Sequence, residues 1–157
     1  DAQQAIFAAD GYDPSARQVV ALESRVVAKQ FKGHNFDSFP SEFQLCPRWH
    51  YLRARIAEHE LDSAGVRLAV QHMQLCLRAI AETGDGDKLS PYRITFLTDA
   101  DDLVRAFGES VRFQQLVGTS QGYRDVVTAH SGVDFWFDVE SLLERTSQEA
   151  ALARTVR

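Results

Sequence analysis

Two cysteines and two histidines stand in pairs whose spacing could place them around a metal ion. Cys46 and His50 are four residues apart, and so are His72 and Cys76. In a helix, side chains four positions apart lie on one face, about 6 Å apart along the axis. Thiolates and imidazoles are ligands that tetrahedral zinc prefers. These four residues therefore predict, as one hypothesis, a structural Cys2His2 zinc site.

The two pairs can meet only if the chain reverses direction between them. Their midpoint is residue 61, and the next residue, Asp62, is a good helix cap. An antiparallel hairpin at this point would bring the two pairs level. A single helix from Pro47 to Thr83 would separate them by tens of ångströms, because each residue adds about 1.5 Å. The sequence leaves both arrangements open.

Core packing is the simpler interpretation of the two cysteines. Zinc sites usually contain a tight Cys–Cys knuckle of two to four residues, and this chain has none. Cys46 and Cys76 also fit as small apolar core residues. We therefore favour two reduced thiols and no cofactor, with zinc as the alternative and a Cys46–Cys76 disulfide as a further use of the same hairpin.

No pattern in the chain identifies a reaction. The acidic run Asp99–Asp102 fits a helix start, where negative charge favours the helix dipole, better than a cation site. Residues 118–122 lack the Gly-Lys-Ser/Thr that ends a phosphate loop. His130-Ser131 has no nucleophile-elbow pattern around it. The sequence indicates no catalytic residue, and an enzyme with an unrecognised site stays an alternative.

Aromatic residues are concentrated in two places along the chain. One group lies in the connection over residues 34–47, and the other is a run of three consecutive rings. Such residues are usual anchors of protein interfaces, although packing against the core explains them as well. The predicted partner-binding residues are Phe36, Phe39, Phe43, Phe135, Trp136 and Phe137.

Composition restricts the class of protein and of partner. The chain has 157 residues, 45% of them apolar and 25% charged, which is typical of one folded domain over residues 1–157. Its net charge is −5, with no basic stripe, which disfavours nucleic acid and suits a basic protein partner. No apolar run approaches the ~20 residues of a membrane span. Two cysteines predict the cytoplasm or another reducing compartment, and because the chain begins at Asp1 its original N-terminus is not known.

Prolines, glycines and capping residues divide the chain into helical segments. Asp13-Pro14 predicts a helix start, and apolar residues at helical spacing continue to a stop at Gly33. A short helix over Ala2–Ala9 is predicted before it. Further helices are predicted to begin at Pro47 and at Thr98 or Asp99.

The later part of the chain is ambiguous between helix and strand. Residues 91–98 predict a short strand or an extended entry, and residues 123–129 give no clear signal. Residues 133–139 alternate as a strand would, but we favour a helix there because residues 140–154 are rich in helix formers. The resulting prediction is a mainly α fold: an irregular helical bundle of about six helices, with at most two or three short strands.

These observations together favour a non-catalytic helical module that binds proteins. The absence of reaction motifs disfavours an enzyme, and the two aromatic groups could form a contact surface. We expect an adaptor, an inhibitor or a subunit of a larger assembly. Its partner would be another protein or a second copy of the chain, with neither nucleic acid nor membrane. The alternatives are a small zinc protein and an unrecognised enzyme.

Overall fold

The computed structural model describes Phe7 and residues 12–155, with side chains as far as residue 147. Over these residues, five helices accompany a four-stranded mixed sheet. The helices are α1 (Arg17–Val27), α2 (Pro47–His59), α3 (Ser63–Ala81), α4 (Asp99–Ala106) and α5 (Glu140–Thr155). The strands are β1 (Tyr92–Arg93), β2 (Val111–Thr119), β3 (Gly122–Ala129) and β4 (Asp134–Asp138). Two 3-10 turns, Phe36–Ser38 and Ser41–Leu45, lie between α1 and α2.

The predicted mainly α bundle is wrong, because a sheet forms the second half of the chain. The helix favoured for residues 133–139 is a strand, β4, as the alternation of its side chains had indicated. Strand β3 contains residues 123–129, which gave no clear signal, and strand β2 was not predicted. Pairing with neighbouring strands outweighs the local helix propensity here.

The first predicted helix begins later than expected. The Asp13 carboxylate accepts hydrogen bonds from the backbone N–H groups of Ser15 and Arg17, at 3.1 and 2.9 Å, so it caps a turn that precedes α1. Helix α1 then ends at Val27, well before the expected stop at Gly33. The helix predicted over Ala2–Ala9 lies, apart from Phe7, outside the described residues.

Helices α2 and α3 form an antiparallel hairpin. The chain turns over three residues, with Leu61 in the left-handed region at φ 59°. The Asp62 carboxylate then caps α3 by accepting from the Gly65 N–H at 2.9 Å. A Cβ at Gly65 would lie 2.3 Å from Asp62 Oδ2, so a larger residue would have to displace the capping carboxylate. The hairpin alternative is therefore the one that the structure adopts.

The sheet runs in the order β1-β4-β3-β2. Strand β1 is parallel to β4, whereas β4, β3 and β2 are successively antiparallel.

Two buried clusters form the core. One lies among α1, α2 and the 3-10 turns around Trp49, and the other joins α3, α4 and α5 to the sheet around Val127 and Phe137. No described helix has the length and apolar character needed to cross a membrane.

A buried ionic junction ties three helices together. The Arg48 side chain on α2 is only 13% exposed, and its guanidinium contacts Glu23 of α1 at 2.8 Å. The same group contacts Asp101 and Asp102 of α4 at 3.0 and 2.6 Å. It lines a cavity of about 370 Å³ together with Glu23 and Asp102. Asp101 also pairs with Arg105 at 2.9 Å, so the carboxylate that depends most on Arg48 is Asp102, whose side chain is only 13% exposed. Removing the cation would leave its charge largely buried without compensation.

Removing the charge of Arg48 is expected to destabilise the fold strongly. An Arg48→Met chain should lose about 3–5 kcal/mol of unfolding free energy, since three carboxylates would lose their shared cation. Denaturant titration measures this loss. The matched control is Arg55→Met, whose pair with Glu58 is exposed on both sides and should change the free energy by less than about 1 kcal/mol. Equal effects in the two variants would contradict the role of the junction.

Candidate functional site

The helical hairpin brings part of the predicted zinc set together. The rings of His50 on α2 and His72 on α3 meet edge to face, with centroids 5.2 Å apart. The Cys76 thiol donates to the Gln44 carbonyl at 3.4 Å, and His50 Nε2 donates to the same carbonyl at 2.9 Å. One backbone oxygen thus already holds two of the four predicted ligands.

Cys46 lies on a different side of this cluster. It is the residue before α2 and has an extended backbone (φ −91°, ψ 113°), so the helical four-residue rule does not relate it to His50. Its sulfur lies 3.9 Å from Thr98 Oγ1. Within the part of the chain that the structure describes, no group of three or more His, Cys, Asp or Glu side chains is placed to hold a metal ion. The Cys2His2 zinc site stays a prediction without converging ligands.

Both cysteines are free and buried. Burial raises the pKa of Cys76 to about 11, and burial together with the negative charge of Asp99 raises the pKa of Cys46 still further. A thiol needs to ionise to act as a nucleophile or a metal ligand. At neutral pH both groups are protonated, which suits core residues better than reactive ones.

Ser110 and His130 form a polar pair at one end of β2. Ser110 Oγ lies 3.1 Å from His130 Nδ1, and the two residues are exposed. A nucleophilic hydroxyl would also need a carboxylate to orient the imidazole. Among the contacts of the described residues, none joins a carboxylate to His130. The pair therefore lacks the third member of a hydrolytic triad.

The six aromatic residues predicted to bind a partner are largely packed against the protein itself. Phe43 and Phe137 are buried, and the other four are half-buried. Phe36 and Phe39 contact Trp49, with ring centroids 5.4 and 4.5 Å apart. Among the second group, the Phe135 ring stacks on another phenylalanine and the Trp136 ring contacts a lysine. Their role in binding a partner stays a prediction.

Strand β2 also carries exposed apolar side chains. Phe113 is 52% exposed and Leu116 is 54% exposed, and these two side chains point to opposite faces of the sheet. The neighbouring strand, β3, has Val126 and Val127 buried on the same two faces. Strand β2 therefore belongs to the sheet by its backbone, yet neither of its faces is covered along most of its length.

The backbone of β2 is open along its outer edge as well. Thr119 and Gly122 flank the two-residue turn and form the hydrogen-bonded pair that closes the hairpin. Hydrogen-bonded pairs alternate along an antiparallel ladder, so Val117, Gln115 and Phe113 direct their backbone groups toward β3. The same alternation turns the N–H of Trp136 on β4 away from β3, and it donates to the Gly86 carbonyl at 3.0 Å. The backbone groups of Gln114, Leu116 and Gly118 consequently point outward.

Sequence reasoning did not predict this strand. The sequence feature that could have indicated a strand is a run of nine residues with no proline and with Arg112 as its only charge. Its apolar residues do not alternate regularly, because neither face is continuously buried, so the usual strand pattern is absent.

No protein-family model, curated protein or solved structure matches this chain.

The buried carboxyl of Asp99 gives the fold a defined pH dependence. Its Oδ2 accepts from the N–H groups of Thr95 and Phe96, at 3.0 and 2.9 Å, and its Oδ1 has no partner among the described residues. Complete burial raises its pKa from 3.8 to about 7. Between these two pH values the folded chain holds a proton that the unfolded chain has released. Stability from this group is therefore lost as the pH rises from 3.8 to about 7.

An Asp99→Asn chain should not show that loss. We expect the variant to gain stability relative to the parent chain as the pH rises from 4 to 8, because asparagine has no proton to release. Urea titrations of both proteins across this range measure the difference. Burial lowers the pKa of His50 and adds the opposite slope below pH 6.5, but equally in both chains, so it cancels. Parallel stability curves would contradict the assignment.

Proposed function

We propose that this chain is a non-catalytic protein-binding module, an adaptor, inhibitor or subunit, which works through the open edge of β2. The observation that carries the proposal is a nine-residue edge strand with an unpaired outer backbone and two half-exposed apolar side chains. An extended segment of a partner could continue the sheet there. Backbone hydrogen bonds would supply affinity, and side-chain contacts would supply selectivity.

The composition of β2 supports this use of its edge. Natural proteins protect an exposed edge with short strands, prolines or charges, which prevent pairing with other chains. The opposite edge of this sheet, β1, is two residues long. Strand β2 has nine residues, no proline and one charge at Arg112. An unprotected edge of this length is the expected form of a pairing site.

The rest of the molecule supports a scaffold role. The helices bury the inner strands and hold the hairpin of β2 and β3 in place through contacts such as the Tyr123 N–H to the Glu140 carboxylate. The two protonated thiols fit a reducing compartment such as the cytoplasm. The ionisable groups at the centre of the fold serve internal contacts, as Arg48 and Asp99 do.

Site-specific photo-cross-linking tests the proposal. A photoreactive phenylalanine analogue placed at Phe113 in the source cells should give a protein adduct of defined mass. The matched control is the same analogue at Leu89, which is 85% exposed in the connection between α3 and β1. This position should give no adduct. Mass spectrometry of the purified adducts measures both.

Two substitutions at Leu116 separate backbone pairing from simple apolar contact. Leu116→Pro removes an outward N–H that β3 does not use, so the chain should fold but lose the adduct at residue 113. Leu116→Thr keeps that N–H and should retain the adduct. Circular dichroism of both variants checks the fold. An adduct that survives Leu116→Pro, or no adduct at 113, would overturn the proposal.

A further inference from the structure

We infer that the strand which pairs with β2 is the β2 of a second copy, antiparallel to the first across a two-fold axis at Leu116. This inference rests on the proposed function and names its partner. It requires that the edge of β2 be complementary to itself in backbone, side chains and charge. Each of these three requirements can be read from the register of the sheet.

The backbone register selects Leu116 as the centre. The ladder between β2 and β3 is irregular between Val111 and Phe113 and regular from Phe113 to Thr119. That regular stretch has seven residues, and its midpoint is Leu116. Because the backbone groups of Leu116 point outward, its N–H can donate to the carbonyl of its symmetry mate, and its own carbonyl can accept the reciprocal bond. Gln114 and Gly118 of the two copies complete the same pattern on either side.

The side chains also match across this axis. On one face, Leu116 lies opposite its own copy, so the most exposed apolar group of the strand is covered by an identical one. Gln114 lies opposite Gly118, which has no side chain, so its amide can keep its 2.6 Å bond to Asp125. On the other face, Phe113 lies opposite Thr119 and diagonal to Val117, within reach of its ring.

The charge pattern is compatible with this pairing. Arg112 is the only charged residue of β2, and it falls beyond the last pair of the seven-residue ladder. No like charges therefore face each other across the axis, which would otherwise weaken pairing. Closed two-fold symmetry is also the commonest way in which identical chains associate. The result is one continuous eight-stranded sheet, formed from two copies of the four-stranded one.

Three single-cysteine variants test the register. In purified chains oxidised with copper–phenanthroline, Leu116→Cys should form a disulfide-linked dimer, because paired Cα atoms lie about 5.5 Å apart. Gln115→Cys should not, since residue 115 and its copy are diagonal at about 7–8 Å. Gln114→Cys should not either, because four residues of strand separate it from its copy by about 13 Å. The parent chain, with both thiols buried, controls for background oxidation.

Sedimentation velocity over a range of concentrations supplies the second readout. The parent chain should shift from monomer to dimer as its concentration rises. Leu116→Thr should still shift, and Leu116→Pro should stay monomeric, because only the proline removes the outward N–H. Non-reducing electrophoresis of the cysteine series and these profiles together define the pairing.

The possible results separate this inference from the proposed function. A cross-link at position 116 only, with a dimer that Leu116→Pro abolishes, is the expected outcome. A cross-link strongest at position 115 or 114 would overturn the register. A chain that stays monomeric and uncross-linked, while the photoreactive analogue at 113 still captures a different protein, would overturn the second copy and leave the proposed function standing. If the chain forms neither a dimer nor an adduct at residue 113, both the inference and the proposed function are wrong.

Discussion

Every strand inside a sheet must satisfy backbone groups on two sides, and this constraint organises the second half of the chain. Strand β3 meets it by pairing with β2 on one side and with β4 on the other. Strand β4 meets it with β3 and the short β1. Among the described residues, strand β2 has a partner on one side only. None of these residues bonds to its outward backbone groups, which are open to water or to another chain.

Polar contacts in the helical half of the molecule connect the helices to one another and to the start of the sheet. Arg48 joins α1, α2 and α4 through carboxylates that would be costly to bury alone. Asp99 then holds the backbone of residues 95 and 96 at the entry to α4, which lies close to the start of β2. These polar contacts are expensive in themselves but fix one arrangement of helices. Under the proposed function, the edge of β2 would be presented by a scaffold, in contrast to a flexible segment that would have to order on binding.

The sequence predicted the helices better than the sheet, for a physical reason. Helices α2, α3 and α4 carry local signals, such as Pro47 at a helix start and the cap at Asp62, that require no distant partner. Strand β4 carried the correct alternation, which helix formers after residue 139 outweighed in our interpretation. Strand β2 lacked the alternation of a half-buried strand, because most of its side chains are exposed on both faces.

The candidate sites show the same division. The hairpin alternative placed His50 level with His72, and the two rings do meet. The four-residue rule applies between helical positions, whereas Cys46 precedes α2 and has an extended backbone. Aromatic content alone could not separate Phe43, which is buried, from Phe113, which is half-exposed. That difference depends on which surface the helices cover, and only the three-dimensional fold determines it.

Amide hydrogen exchange along β2, measured residue by residue with NMR, tests the central claim most directly. In dilute protein, the N–H groups of Phe113, Gln115 and Val117 should be protected, and those of Gln114, Leu116 and Gly118 should exchange quickly. When a partner or a second copy occupies the edge, the second set should become protected as well. An edge whose outward amides stay unprotected at every concentration and in the presence of source extract would contradict a pairing role for β2.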